Sequence, residues 1–351
     1  MDARERKNNF LLPTFGFAPR CLFLDFSMRR RTKLSPEKLA EAQARGREFT
    51  AFLAASEART RQLDEAIKKD DLAGMQAVLD AALALKPDGM DQAMVRDGDG
   101  RGALQRALSA KAQQCAKALA TPSQARITTQ SGHNAFLTAC HLGNAEMAAI
   151  LAPMSDTKAT ARLDWHDYNG QLHSGRRGAV FLALASGSAA TVSEALRVGD
   201  FWSEAQSAAE SPTSNQRPTL ISEALGFCEC VVLHGKNHHK AFCATLDPFA
   251  AWLVQQTPAD EAHMRIRLAA LAEARSFLLG QARYSPNGES EQAALHRIAP
   301  QFHAAMERDA LLAEIQKSAR RSASSASFAQ NDSANSTPSG ADSPTRAPAR
   351  L

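Results

Sequence analysis

Apolar residues recur at helical spacing in short, paired blocks along the middle of the chain. In the clearest block, 131–151, a polar turn precedes one apolar set, and Gly143-Asn144 precedes a second. The first set is Ala135, Phe136, Ala139 and Cys140, which follows the polar Asn134, and the second is Met147, Ala148, Ile150 and Leu151. Two short helices that are apolar on one side only can bury that side by stacking on neighbours. The pattern therefore predicts a repeating array of helix pairs.

Similar blocks occur before and after this one. We predict helix pairs at 62–83, 102–120, 134–152, 178–197 and 219–254, with almost no strand. The turns between paired helices align at Asp70, Lys111, Gly143, Gly187 and Cys228, which are 41, 32, 44 and 41 residues apart. The expected fold is an all-α solenoid of four to five helix pairs, flanked by N- and C-terminal capping helices.

The ends of the chain differ from the array. Residues 1–34 mix basic and aromatic residues and predict a flexible arm, an upstream start read through to Met28, or a targeting segment. Ser35-Pro36 predicts the start of an N-terminal capping helix over 35–61. The array spans 62–254, and C-terminal capping helices span 255–319, with a kink expected at Pro300. Residues 320–351 are rich in Ser, Pro and Ala and are expected to be disordered.

Two blocks carry a resemblance to the ankyrin repeat and its pattern D-x-x-G-x-T-P-L-H-x-A. The first has Asp97, Gly100, Gly102, Ala103, Leu104, Gln105 and Ala107, and the second has Gly132, Asn134, Ala135, Phe136, Ala139 and Gly143. Neither block has an intact T-P-L-H, and Lys111 replaces the glycine expected between the helices. The chain is similar to a divergent, bacterial-type ankyrin array with long loops between repeats.

The resemblance implies a non-enzymatic scaffold that binds a protein partner through its inner helices and hairpin tips. It points to Arg101, Arg106, His133, Thr138, His141 and Leu142 in the array. Residues 163–175 are an insertion, and we expect it to project as a loop and supply the main contacts, because long loops in compact arrays are often functional. The candidates in the insertion are Trp165, His166 and Tyr168, and those next to it are Arg176 and Arg177. By analogy with effectors, the resemblance also suggests a bacterial effector that acts on a host protein.

Composition and charge narrow the partner class. The net charge of +4 comes from the ends, which carry +5 over 1–34 and +2 over 318–351 and leave −3 for 35–317. That distribution argues against nucleic acid as the main ligand. No apolar run reaches the length of a membrane span. Six unevenly placed cysteines favour a reducing setting. We therefore expect a cytoplasmic monomer or, as the alternative, a protein secreted into a host cell.

A second hypothesis is a zinc-stapled regulator or enzyme. Cys230, His234, His239 and Cys243 are arranged as a palindrome about a turn, with each Cys/His pair four residues apart. On two antiparallel helices, such pairs face one another and suit a tetrahedral zinc ion. The alternative interpretation is that the cysteines are small buried apolar residues and the histidines cap helix ends. Apart from this structural zinc, we expect no cofactor.

Other chemistry is less well supported by the residues. Asp164, Trp165, His166, Asp167 and Tyr168 combine an imidazole with carboxylates, but adjacent loop residues rarely converge on one point. Gly170-x4-Gly175-Arg176-Arg177 lacks the lysine and hydroxyl of a phosphate-binding loop. The sequence has neither G-x-S-x-G nor H-E-x-x-H. We assign no catalytic residue.

Overall fold

A computed structural model describes residues 35–84, 92–167, 170–209, 219–232, 238–282 and 290–310. The predicted arm at 1–34 and the predicted tail at 320–351 lie outside these residues. The chain divides into two units, Met1–Ala55 and Ser56–Leu351. Helix α1 (Pro36–Lys68) contributes to both. The boundary predicted between a capping helix and the array, at 61/62, thus falls inside one continuous helix.

In the first unit, α1 begins where the sequence predicts. Pro36 is its first residue, and the backbone N–H of Lys38 donates to Ser35 Oγ at 3.4 Å. Proline suits this position because its ring fixes φ near the helical value and the missing N–H would have no partner within the helix.

The second unit contains the rest of α1 and the helices that follow it. Their bounds are α2 (Leu72–Leu83), α3 (Ala103–Ser109), α4 (Gln113–Ala118), α5 (Pro122–Ala125), α6 (Ala135–His141), α7 (Ala145–Leu151), α8 (Ala179–Ala185), α9 (Ala189–Val198), α10 (Phe201–Ala209), α11 (Leu220–Phe227), α12 (His238–Gln255), α13 (Glu261–Ala282) and α14 (Glu291–Ile298). Short 3₁₀ turns lie at Gln92–Met94 and Ala152–Met154, and a π-helical turn at Cys228–Val232. Residues 300–310 are also helical.

The five predicted helix pairs are present. We call them repeats 1 to 5: residues 56–68 of α1 with α2, then α3 with α4, α6 with α7, α8 with α9, and α11 with α12. Among the first helices, α3 packs on α6, α6 on α8 and α8 on α11; among the second, α2 packs on α4, α7 on α9 and α9 on α12. Neighbouring pairs bury one another's apolar sides in one continuous core. The prediction of an all-α stack of helix pairs is confirmed.

The turns within four repeats have the same backbone conformation. Asp70, Lys111, Gly143 and Gly187 have φ of 51°, 58°, 68° and 77°, in the left-handed region. Lys111 therefore adopts the conformation for which glycine is usually required. The fifth predicted turn, at Cys228, is wrong: its φ is −57°, and the chain remains helical through the π turn to Val232.

Among the described residues, α5, α10 and a β-hairpin were not predicted. Helix α10 lies between repeats 4 and 5 and packs on α11 and α13. The insertion at 163–175 forms most of an antiparallel hairpin of β1 (Ala161–His166) and β2 (Leu172–Arg177), in which Ala161 pairs with Arg177 and Trp165 with His173. The expectation of a projecting loop is corrected, because the segment forms paired strands and alternate residues of β1 face the interior: Ala161 and Trp165 are buried, whereas Arg162 and Asp164 are exposed.

The helices after repeat 5 agree with the expected C-terminal segment within the described residues. Helices α13 and α14 both pack on α12. The helix expected to kink at Pro300 is interrupted at Ala299, and the next helical segment begins at Pro300. Its N-terminus is held by Asp247 of α12, whose Oδ1 accepts the backbone N–H of Phe302 at 2.9 Å.

Candidate functional site

Three hairpin tips precede repeats 2, 3 and 4 and share one geometry. In each tip the fourth residue is a glycine with positive φ, whose N–H donates to the carbonyl of the first residue at 2.9–3.0 Å. The tips are 97–101, 129–133 and 167–171, with glycines Gly100, Gly132 and Gly170. A side-chain oxygen of the first residue also accepts the N–H of the fifth, at 2.9–3.0 Å. Each tip is thus closed by both backbone and side chain.

The third tip was missed in the sequence. The segment 167–170 reads D-Y-N-G, which matches the D-G-D-G of 97–100 in its first and last residues. The sequence pattern predicts a loop at Gly170, and the structure places this glycine at the tip of a hairpin. Its equivalence to Gly100 is hidden because α8 begins nine positions after Gly170, whereas α3 begins three positions after Gly100 and α6 three positions after Gly132.

Successive hairpins are joined by backbone hydrogen bonds. Gln130 N donates to Asp99 O at 3.1 Å, and Arg162 N donates to Ser131 O at 2.7 Å. Arg162 follows Gln130 by 32 residues, the spacing of the regular repeats. Residues 163–175 therefore extend the third hairpin beyond the point where it meets its neighbour.

A groove of about 470 Å³ lies between the first two tips and the C-terminal ends of α3 and α6. Five predicted partner-binding residues line it: Arg101, His133, Thr138, His141 and Leu142. The remaining lining residues are Asp99, Ser109, Thr129, Gln130 and Ser131. The structure brings together residues from two repeats that lie up to 43 positions apart in the sequence, from Asp99 to Leu142.

The groove presents mainly uncharged groups. The rings of His133 and His141 meet edge to face with centroids 6.2 Å apart. Burial, reinforced by the neighbouring imidazole, lowers the pKa of His133 to about 4, and burial also lowers the pKa of His141. Both rings are neutral at pH 7. Arg101 is the cation of the groove, and its guanidinium is already paired with Asp97 at 2.8 Å and Asp99 at 2.9 Å.

Arg106 does not share this groove. It was predicted as an exposed contact, but its side chain is only 8% exposed and pairs with Asp64 of α1 at 2.7 Å. It lines an adjacent groove of about 420 Å³, together with Lys68 and Arg101. Arg106 therefore connects repeats 1 and 2 from an internal position, which corrects the expectation of an exposed side chain.

The insertion residues occupy two different environments. Trp165 is 9% exposed; it stacks on His173 with centroids 4.2 Å apart and meets the edge of Phe227 of α11. A Cβ on Gly226 would lie 2.8 Å from Trp165 Cη2. Trp165 thus packs the hairpin onto repeat 5, where we had expected an exposed contact.

Arg177 is buried as well, and it pairs with Glu223 of α11 at 2.5 Å. The prediction that Arg177 is an exposed contact is therefore corrected. His166 and Arg176 are exposed, and Arg176 donates to Thr160 Oγ1 at 2.8 Å and to the Thr160 carbonyl oxygen at 2.7 Å. Tyr168 lies outside the described residues. For the exposed residues, a role in binding stays a prediction.

The predicted zinc ligands are only partly described. His234 lies outside the described residues. Cys243 is buried, which raises the pKa of its thiol to about 11, and Cys230 is half-buried. His239 Nε2 lies 3.4 Å from a carboxylate oxygen of Glu229. In the part of the chain that the structure describes, no three His, Cys, Asp or Glu residues form a metal-binding group. The zinc site stays a prediction, for which elemental analysis should find about one equivalent of metal in the purified protein.

The helix pairs are stacked and have left-handed turns. The hairpins between them have glycine-containing tips and bond to one another. These features define an ankyrin-like helical-repeat protein. The chain resembles two solved structures. The human ASB11 ankyrin repeat domain is 14% identical over 70% of this chain and 96% of that one, with a TM-score of 0.35. The Legionella pneumophila effector AnkC is 20% identical over 67% and 75%, with a TM-score of 0.34.

Both TM-scores are low, so the assignment of the class rests on the repeat geometry. No protein-family model matches the sequence. No curated protein matches it either. Among the described residues, no helix is both long and apolar enough to cross a membrane.

Proposed function

We propose that this chain is a non-enzymatic protein-interaction scaffold, and that its binding site is the groove between the tips of repeats 2 and 3. The observation that carries the proposal is the convergence of Arg101, His133, Thr138, His141 and Leu142 on one groove. A ligand that enters it meets hydroxyls, an amide, two neutral imidazoles and the 37% exposed side chain of Leu142.

This chemistry favours a segment of a protein partner that is uncharged where it contacts the groove. An additional charge would have to compete with the ion pairs of Arg101 with Asp97 and Asp99 or be desolvated beside two imidazoles that remain neutral. Neutral hydrogen-bonding groups around an apolar contact are common at sites of protein recognition.

The test is affinity purification with the full chain, followed by a binding measurement with each partner recovered. Leu142→Arg places a long charged side chain at the edge of the groove and should weaken binding at least tenfold, that is by about 1.4 kcal/mol. Ala149→Arg is the control, because Ala149 is exposed on α7, the second helix of the same repeat. Equal affinities for both variants and the unmodified chain would refute the groove as the binding site.

Action as a bacterial effector on a host protein is the finer part of the proposal, and it rests on the sequence resemblance. A reporter enzyme that is active only in host cytoplasm, fused to the full chain in a secretion-competent bacterium, tests this part. A signal from infected host cells supports delivery. A signal confined to the bacteria would favour the cytoplasmic alternative. Light scattering of the purified chain tests the proposal that it is a monomer.

A further inference from the structure

The extended hairpin leaves one strand edge exposed beside the second tip. In β1, Arg162 N donates outward to Ser131 O of the preceding tip, at 2.7 Å. Outward and inward backbone groups alternate along an antiparallel strand, so the N–H and C=O groups of Asp164 and His166 point the same way as those of Arg162. The bond from Asp167 N to Gln171 O agrees, because it places the odd-numbered residues in hydrogen-bonded pairs with β2.

The preceding hairpin is too short to cover this edge. Its tip, 129–133, turns back at Gly132, and its last bond to β1 is the one between Ser131 and Arg162. No other described residue bonds to the outward backbone groups of Asp164 and His166, and both residues are exposed. The edge thus continues for two more outward positions, about 7 Å apart along the strand.

The hairpin that carries this edge is held in place. Trp165 and Arg177 are buried against Phe227 and Glu223 of α11, and they lie on the face of the hairpin opposite Arg162 and Asp164. An edge fixed in this way loses little conformational entropy when another strand pairs with it.

We propose that the β1 edge at Asp164 and His166 binds an extended segment of a protein partner by adding it as a strand beside Ser131. The segment forms backbone hydrogen bonds with β1 beyond the bond between Arg162 and Ser131, and it lies next to the second tip. The side chains of the added segment alternate. Those beside Leu163 and Trp165 are apolar, and those beside Arg162 and Asp164 are polar. This surface borders the groove at Ser131, which lines the groove, but Asp164 and His166 are not among the residues that line it.

The other edge of the hairpin, formed by β2, does not support a proposal of the same kind. Residues 210–218 connect α10 to α11, where the hairpin of repeat 5 would fall in the sequence, and they lie outside the described residues. The β2 positions Ser174 and Arg176 therefore serve as internal controls.

The experiment uses a phage-displayed library of linear dodecapeptides selected against the full chain. Selected peptides are synthesised and measured against Asp164→Pro, Asp164→Ala and Ser174→Pro. Proline at 164 removes an outward N–H and leaves the bonds to β2 in place, since proline is tolerated at such edge positions. Ser174 is directly opposite Asp164, so Ser174→Pro makes the same change on the other edge. Asp164→Ala removes the carboxylate and keeps the N–H.

We expect Asp164→Pro to weaken peptide binding about tenfold, as for the loss of a strand hydrogen bond, and the two controls to change it less than twofold. Hydrogen exchange at the amides of Asp164 and His166 should slow on peptide binding. Unchanged affinity in Asp164→Pro, failure to select any peptide, or slow exchange at both amides in the free chain would each overturn the proposal. Slow exchange in the free chain would mean that the chain covers its own edge.

The Leu142→Arg variant separates this proposal from that of the groove. Peptides that lose affinity in Leu142→Arg and keep it in Asp164→Pro overturn the strand proposal and leave the groove proposal standing. The reverse result supports the strand proposal and shows that the groove does not bind these peptides.

Discussion

The guanidinium of Arg177 lies 2.5 Å from the carboxylate of Glu223, and both side chains are buried. One belongs to the extended hairpin and the other to α11, so the pair joins repeats 4 and 5. Burial raises the pKa of Glu223, and Arg177 partly offsets this effect. Glu223→Ala should lower the free energy of unfolding by about 3–5 kcal/mol, because it leaves Arg177 buried without a counter-ion.

Chemical denaturation measures this loss. The control is Glu194→Ala, which breaks the exposed pair between Glu194 and Arg197 and should change stability by less than about 1 kcal/mol. Equal losses in the two variants would mean that the Arg177–Glu223 pair is open to solvent.

Trp165 gives a second prediction. Trp165→Ala should lower the free energy of unfolding by about 3–5 kcal/mol, as for other large-to-small changes in a core, and so lower the melting temperature. His166→Ala, at the exposed neighbouring position, should have an effect within about 0.5 kcal/mol. Loss of partner binding in Trp165→Ala at an unchanged melting temperature would instead indicate that Trp165 is an exposed contact with the partner.

Phe136 lies at the centre of the array and is fully buried. Phe136→Ala should cost about 3–5 kcal/mol. In a stack of repeats, the loss should fall mainly on repeats 2 to 4, as hydrogen exchange can show. Ala149→Gly on the outer helix of the same repeat is a control and should cost about 1 kcal/mol. A cost below about 1 kcal/mol for Phe136→Ala would contradict its buried position.

Lys111 and Gly143 occupy equivalent left-handed turns, and they predict opposite responses. Lys111→Gly should be neutral or stabilise the fold by up to about 1 kcal/mol, since it removes strain at φ 58°. Gly143→Ala should destabilise it by about 1–2 kcal/mol, because φ is 68° and the new Cβ would lie 3.1 Å from Ser188 Cβ. Lys117→Gly, inside α4, is the control for Lys111→Gly and should be destabilising. A destabilising Lys111→Gly would contradict the left-handed turn.

Glu204 predicts that the free energy of unfolding depends on pH. Its buried carboxylate accepts the backbone N–H groups of Val180 at 3.1 Å and Phe181 at 2.9 Å. Burial is the largest effect and raises its pKa to about 7, against the opposing effect of these bonds. The folded protein therefore holds a proton that the unfolded chain releases near pH 4.5, so the contribution of Glu204 to stability is full below pH 4.5 and is lost as the pH rises through 7.

The free energy of unfolding that Glu204 contributes at low pH, and that is lost as the pH rises, is on the order of 3 kcal/mol. Urea denaturation at pH 4.5 and pH 8 should show this difference in the unmodified chain and a smaller one in Glu204→Gln, which cannot titrate. Identical pH profiles for the two proteins would show that Glu204 does not titrate in this range.

The helix pairs could be predicted because each has apolar residues three or four apart, and the first four also have a glycine or polar residue at the turn. Even Lys111, which replaces glycine, was placed correctly by its distance from Gly143. The groove residues were predicted from the resemblance, since positions after the tip and late in the first helix recur from one repeat to the next. Their convergence on one groove is seen only in the structure.

The hairpin could not be predicted in the same way. Its strands contain arginine, aspartate, histidine and glycine, and the burial of Trp165 and Arg177 against α11 fixes which face of the hairpin is internal. That packing partner lies about 50 residues further along the chain, so no local pattern shows it. For the same reason an aromatic ring and a guanidinium in an insertion suggested exposed contacts.

The lengthening of the third hairpin is equal on its two sides. Gly170 follows the turn at Gly143 by 27 residues, whereas Gly132 follows Lys111 by 21, and the return to the helix is also six residues longer. Six is an even number, and side chains alternate between the faces of a strand. An insertion of five in each arm would have turned Trp165 and Arg177 outward and Arg162 and Asp164 towards α11. Length variation at this hairpin should therefore occur in matched steps of two residues per arm, and a single-residue deletion in β1 should be more damaging than removal of a whole pair from each strand.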